Sequence, residues 1–253
     1  MQMVPTLGAL MVVRLLGSAS LAGLGSSVLS AGRFVIAYPI GKVNDAYGRR
    51  VGLVIGLLLS LIGAVILGIS MLATSFALFL VGIAIFGLGV GAGLQMRVAA
   101  ADMYPPARRA EGLGYVLMGS LLGALGGPVL ISAAQGSSIR LGVDALALAW
   151  IFVPAVILPG IVLVVMVRPD PKEIAANLGK YYPGYTPASE GGNGGAGGGG
   201  FTAFLRHYPK QVAFVSSLAV QGNMAMMMAM TALVLSHHGH PLSHISIAVS
   251  IHV

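Results

Sequence analysis

The chain has 253 residues, 57% hydrophobic and 8% charged, with a formal net charge of +7 and no cysteine. Its mean hydropathy of +0.91 exceeds what a soluble domain with a charged surface carries. The missing thiols exclude disulfides and thiolate metal sites, and the basic residues, dispersed in loops without a basic face, exclude nucleic acid as a partner. What remains is an all-α polytopic membrane protein whose first partner is the lipid bilayer.

In chain order, apolar stretches lie near 19–40, 51–72, 76–100, 113–134, 143–167 and 211–235, each about the 20 residues a bilayer-spanning helix needs. The opening MQMVPTLGALMVV is too short to span and ends beside Arg14, and the closing ISIAVSIHV simply stops. A weak repeat at an offset of 220 matches Ala9, Leu15, Ser26 and Ser30 to Ala229, Leu235, Ser246 and Ser250. Taken at face value, it leaves half of a first helix upstream of Met1 and a chain truncated at both ends.

Charge sets the expected topology. Lys42, Arg49 and Arg50, then Arg108 and Arg109, then Arg168, Lys172, Lys180, Arg206 and Lys210 fall in alternate loops, against Arg14 and Arg140 in the others. The excess of Lys and Arg on one side marks that side as cytoplasmic. The decapeptide GKVNDAYGRR (41–50) is then the cytoplasmic turn between two antiparallel membrane helices.

The longest cytoplasmic segment begins RPDPKEIAANLGKYYPG. Asp170 at an N-cap, Pro171 at the first helical position and Glu173 two residues later form a capping-box start. With Ile174, Leu178 and Tyr181 at helical spacing, this predicts a short amphipathic helix on the membrane surface. The following GGNGGAGGGG (191–200) reads as a flexible linker rather than a phosphate-cradling loop, since no GK[ST] follows. The expected domains are 1–168, an N-terminal transmembrane half; 169–210, a central cytoplasmic loop; and 211–253, the start of a second half.

The pattern Gly41-x-x-x-Asp45-x-x-Gly48-Arg49-Arg50 between the second and third helices resembles the signature loop of the major facilitator superfamily. Gly41 and Gly48 permit tight turns, Asp45 suits the positive end of a neighbouring helix, and the arginines can pair with carboxylates or lipid phosphates. The resemblance implies a loop that latches two six-helix halves on the cytoplasmic side, with Arg49 paired to Asp102 as latch partner. Asp45 is expected to face a helix of the second half and to be partnerless or merely solvated here. Ala46 stands where the family usually has a basic residue. The alternative is a generic positive-inside loop.

Gly114, Gly123 and Gly127-Pro128 have the spacing of the fifth-helix motif of antiporters in this superfamily, although Ile131-Ser132 replace its closing glycines; ordinary small-residue packing is the alternative. FALFLVGIAIFGLGVGAG resembles the family's glycine-rich fourth helix, but the usual membrane arginine and glutamine fall on Ile83 and Phe86. The G-x-G-x-x-A at 87–92 follows no strand, so it is not a dinucleotide fingerprint.

Ionisable groups inside a membrane usually face a cavity or a partner. Arg33 is such a group, about 12 Å into the membrane from Gly41 at about 1.5 Å per residue, and it shares a stripe with Ser26 and Ser30. It is read as cavity-lining, with a structural lock onto carbonyls as the alternative. Ser217, Gln221, Met224 and Met228 share a face of the 211–235 helix; Ser217 and Gln221 join Ser30 and Arg33 as cavity candidates, while the methionines are read as packing before substrate contact. HHGHPLSH (237–244) is read as an exposed external turn before a zinc or copper site.

No catalytic constellation appears: Asp45, Asp102, Glu111, Asp144, Asp170, Glu173 and Glu190 lie at ends or in loops, so neither an enzyme nor a cofactor or metal is expected. The resemblance implies a multi-pass plasma-membrane (inner-membrane) transporter of a small organic solute, an efflux antiporter with protons as coupling ion, monomeric when full-length. A uniporter or symporter, or a non-transporting membrane module, stays open.

Overall fold

The computed structural model describes residues 3–183, 185 and 208–251, and all regular structure among them is helical. The elements are α1 (Met3–Leu16), a 3-10 turn (Ala19–Leu21), α2 (Gly23–Tyr47), α3 (Arg49–Leu72), α4 (Phe76–Gly93) and α5 (Gln95–Asp102). After a second 3-10 turn (Pro106–Arg108) come α6 (Arg109–Leu141), α7 (Ala145–Met166), α8 (Pro171–Ala176), α9 (Leu178–Tyr181), α10 (Tyr208–His237) and α11 (Leu242–Ile251). The 191–200 linker, Glu190 and Arg206 lie outside the described residues.

Five stretches are long and apolar enough to cross a membrane: Arg49–Leu72, Phe76–Asp102, Pro106–Leu141, Ala145–Ala176 and Gln211–His237. The sixth expected span, 19–40, is not among them. The helix covering it, α2, has 25 residues, about 37 Å at about 1.5 Å per residue, so length is not the reason. Ser26, Ser27, Ser30 and Arg33 break its apolar run.

The signature decapeptide also differs from expectation. Residues 41–47 are the last two turns of α2 rather than a loop, and the reversal is made at Gly48 alone, at φ 99°. Gly41, expected to shape the turn, lies inside the helix with open space where a Cβ would stand. Charge density misled the loop reading, because Lys, Asn and Asp cost a helix only fractions of a kcal/mol per residue. The predicted surface helix also departs from its single-element form: it breaks at Asn177, at φ −127° and ψ 38°, into α8 and α9. It packs against α3 and α5.

The core is organised around α4, which packs against α2 on one side and α3 on the other. Glycines make that possible. A Cβ on Gly32 of α2 would stand 2.7 Å from the Ala84 carbonyl oxygen, and one on Gly87 of α4 would stand 2.5 Å from that of Leu29. On the α3 side, a Cβ on Gly63 would stand 2.5 Å from the backbone nitrogen of Phe86. These helices therefore touch backbone to backbone, the approach that small residues allow in lipid. The G-x-G-x-x-A stretch is part of this packing surface, buried in α4.

Trp150, the single tryptophan, closes the same core from α7. It is 1% exposed, meets Phe86 edge-on with ring centroids 5.1 Å apart, and donates its Nε1 hydrogen to the Met11 sulfur of α1 at 2.9 Å. Ile83 and Phe86, where the family's arginine and glutamine would fall, are thus apolar core residues.

The α10–α11 pair packs against the rest through α1, α2 and α6. Its boundaries follow the sequence offset: α1 maps into α10, and the start of α2 maps onto α11. Each pair is joined by a turn containing a glycine at positive φ, Gly17 at 66° and Gly239 at 75°.

Gly87→Ala should lower the thermal midpoint of the chain in detergent, because overpacking a close helix contact costs about 1–3 kcal/mol. Gly119→Ala, on the open face of α6, should leave it unchanged or slightly raised. Circular-dichroism melts of both variants check this.

Candidate functional site

At the end of the bundle where α2 turns into α3, the structure brings Arg49 up against Asp102, two residues the sequence had already named as a pair. Arg49, at the first position of α3, donates Nη2–H to Asp102 Oδ2 at 2.9 Å, across to the last residue of α5. The Arg49 side chain is 18% exposed and that of Asp102 31%. Such a partly buried, charge-assisted bond is stronger than an exposed surface pair. Asp45 lies one turn before Arg49, its Oδ1 3.9 Å from Nη1, with a side chain 78% exposed. Its carboxylate is thus solvated with a loose intrahelix contact, and its backbone carbonyl accepts from Lys172 Nζ.

Sequence reasoning missed the group that holds this junction together. Asp170 was expected to cap its own short helix, and it does, accepting from the Lys172 backbone N–H at 2.8 Å. The same carboxylate also accepts from the backbone N–H groups of Arg49 and Arg50, each at 3.1 Å. It therefore caps α3 as well, across 120 residues of sequence. The reason is local: the N-cap of α3 is Gly48, which has no side chain to satisfy the first N–H groups, and an Asp at a helix N-terminus is favoured by hydrogen bonding and by the dipole. A Cβ on Gly48 would stand 2.6 Å from Asp170 Oδ2, so glycine is required both by φ and by the incoming carboxylate.

Further contacts extend the junction. Arg50 donates Nη1–H to the Val167 carbonyl at 3.4 Å. Tyr182, after α9, packs its ring 5.9 Å from that of Tyr104 and lies under the Arg108 guanidinium at 5.7 Å. Arg108 in turn pairs with Glu111 at 2.7 Å. The 170–182 segment is thus fastened at both ends. At the opposite end of the bundle, Arg14 of α1 approaches Asp144, the N-cap of α7, at 3.5 Å.

The other sequence candidates stand apart from the junction. Arg33 is inside α2, its Nε enclosed without a hydrogen-bond partner, as is the Ser26 hydroxyl; Ser30 between them is exposed. Ser217 and Gln221 on α10 are exposed, whereas Met228 is core at 3%. Gly114 and Gly123 face open space on α6, and the helix runs uninterrupted through Gly127 and Pro128. In the histidine-rich turn, His240 and His244 tilt toward each other with ring centroids 6.2 Å apart. No group of three metal-ligating side chains forms among the described residues.

Asp170→Ala should cost about 1–3 kcal/mol, the range for losing two helix caps. Asp170→Asn should fall between it and wild type, since one oxygen keeps the Arg49 and Lys172 contacts while an amide replaces the acceptor facing Arg50. Amide hydrogen exchange checks the double cap: it should be faster at Arg50 in Asp170→Asn, and faster at Arg49, Arg50 and Lys172 in Asp170→Ala.

Comparison with known proteins completes the picture. The family model described as "Major Facilitator Superfamily" matches residues 2–252. Two Bacillus subtilis (strain 168) proteins are similar over 98% of the chain: the "Uncharacterized MFS-type transporter YdeG", 29% identical, and the "Uncharacterized MFS-type transporter YddS", 31% identical. The chain spans 56% of the length of each. The facilitated glucose transporter member 1 of solute carrier family 2 from Gallus gallus is 28% identical over 53% of the chain and 27% of its own length. No solved structure matches significantly. With the family's pattern folded into one junction and its model covering nearly every residue, the chain belongs to the Major Facilitator Superfamily.

Proposed function

We propose that the full-length protein is a secondary active transporter of a small organic solute, working by alternating access in the plasma membrane as an efflux antiporter of the drug/proton type. The observation that carries the reading is the junction of Gly48, Arg49, Asp102 and Asp170. It is compact, polar and made of contacts weak enough to break and re-form. An exposed ion pair is worth about 0–1 kcal/mol and a partly buried one somewhat more. In this reading the basic end is cytoplasmic, and Asp45, turned outward to solvent, meets the second half when the cytoplasmic side closes. Two such halves would rock about a central site, with Ser30, Arg33, Ser217 and Gln221 as its candidates in this chain. Antiport is supported by the Gly114, Gly123 and Gly127-Pro128 spacing on α6.

One observation favours a second reading, a uniporter or symporter. Every described carboxylate lies at a helix end or beside one, namely Asp45, Asp102, Glu111, Asp144, Asp170 and Glu173. A proton-coupling acid within a membrane span would have to come from elsewhere in the full-length protein.

Flux into vesicles, with and without an imposed pH gradient, separates the readings. The antiporter predicts solute movement driven by the gradient and proton movement driven by solute; flux indifferent to the gradient rejects it in favour of a uniporter. In the same assay Asp45→Asn should slow turnover about two- to fivefold at equal membrane abundance, the scale of a lost pair worth up to about 1 kcal/mol. Wild-type turnover in that variant would remove the latch from the account.

A further inference from the structure

Arg33 is the one basic residue of α2 away from the helix end, and no ion pair among the described residues balances its charge. It precedes the Gly48 turn by 15 residues, about 22 Å at about 1.5 Å per residue. Headgroup layers are only about 5–8 Å thick on each side of a hydrocarbon core of about 30 Å. Where α2 crosses the bilayer, a guanidinium that far from the basic end lies within the hydrocarbon core.

Its backbone is fixed. Gly91 of α4 packs so closely that a Cβ there would stand 2.8 Å from Arg33 Cα. Its charge has no counterpart among the described residues. Asp45 and Asp102 approach Arg49, Asp144 approaches Arg14, and Glu111 pairs with Arg108. Asp170 is taken up by backbone N–H groups, and Glu173 lies in α8 at the basic end. Meanwhile Arg33 Nε is enclosed without an acceptor, and two turns up the same stripe the Ser26 hydroxyl is enclosed without a partner. A cation held on a rigid backbone inside a membrane is costly unless an anion meets it. The planar guanidinium fork matches a carboxylate or phosphate in two parallel hydrogen bonds, and serine hydroxyls add donors to the same group.

We propose that Arg33, assisted by Ser26 and Ser30, binds the oxyanion group of the transported solute, so that the substrate class is organic anions bearing a carboxylate or a phosphate. The inference rests on the transporter reading above. The same fixed charge repels cationic solutes, which gives the site selectivity by sign as well as by fit.

The test compares cells expressing the full-length wild type, Arg33→Gln and Arg33→Lys at matched membrane abundance. Mass spectrometry follows which small solutes redistribute between cell and medium. Solutes moved by the wild type should be carboxylates or phosphates, and Arg33→Gln should lower their flux about tenfold or more, as expected for losing a charge-assisted pair. Arg33→Lys, keeping the charge without the fork, should fall between. If Arg33→Gln fails to accumulate, Arg33→Lys decides: anions still moved, at a raised KM, support the site. Neutral or cationic solutes moved by the wild type, or equal flux in wild type and variants, overturn it while leaving the transporter reading intact. An anionic phospholipid retained on purified wild type and lost from Arg33→Gln, with no soluble anion moved, overturns it in favour of a lipid site. A wild type that redistributes no solute overturns the transporter reading and this inference with it.

Discussion

The backbone contact of α4 with α2 and α3 is the constraint from which the other features follow. In lipid, helix association cannot draw on the hydrophobic effect as it does in water, so packing distance decides. Gly32, Gly87 and Gly91 remove the side chains that would hold α2 from α4, and Gly63 does so between α3 and α4. Once α4 is seated, Phe86 reaches Trp150, Arg33 is fixed against Gly91, and the α4–α5 unit ends with Asp102 beside Arg49. Ion pairs worth little on their own can then be set with fixed geometry.

The basic end adds a second layer to that frame. Gly48 turns the chain in a single residue and leaves α3 without a cap of its own. Asp170 fills that gap from across the fold and caps α8 with the same carboxylate. The α2–α3 turn and the segment after α7 are therefore mechanically one piece, and the Tyr182 contacts with Tyr104 and Arg108 fasten its far edge. Under the proposed alternating-access mechanism, movement at the central segment would be felt at Arg49 without any long-range relay. Shared hydrogen bonds are enough.

Much of this was legible in the sequence, for identifiable reasons. Apolar runs of spanning length fix α3, α4, α6, α7 and α10, because a bilayer demands continuous apolarity. Asp170-Pro171 announces a helix start by local chemistry alone. Where the reading failed, a local cue stood in for a tertiary one. The charges of residues 42–45 suggested a loop, yet a helix leaving a membrane accepts them, and Asn44 is buried against Gly52 of α3. The second role of Asp170 could not be seen without knowing that the end of α7 returns to the start of α3. One signal was available: a glycine N-cap before a long helix leaves donors that some other group must satisfy. The surroundings of Arg33 were likewise beyond sequence, since depth and stripe placed it but only packing shows that its Nε is enclosed and unpartnered.

The central claim is that Arg49 and Asp102 act as one coupled element whose making and breaking accompanies transport. A double-mutant cycle on turnover in the full-length protein, using Arg49→Ala, Asp102→Ala and the double variant at equal membrane abundance, tests it most directly. Coupled residues show interaction energies of about 0.5–3 kcal/mol. The account predicts that each single variant slows turnover and that the double variant is no slower than the worse single one. Costs that add in the double variant would contradict it, reducing the 2.9 Å bond to a contact without a role in transport.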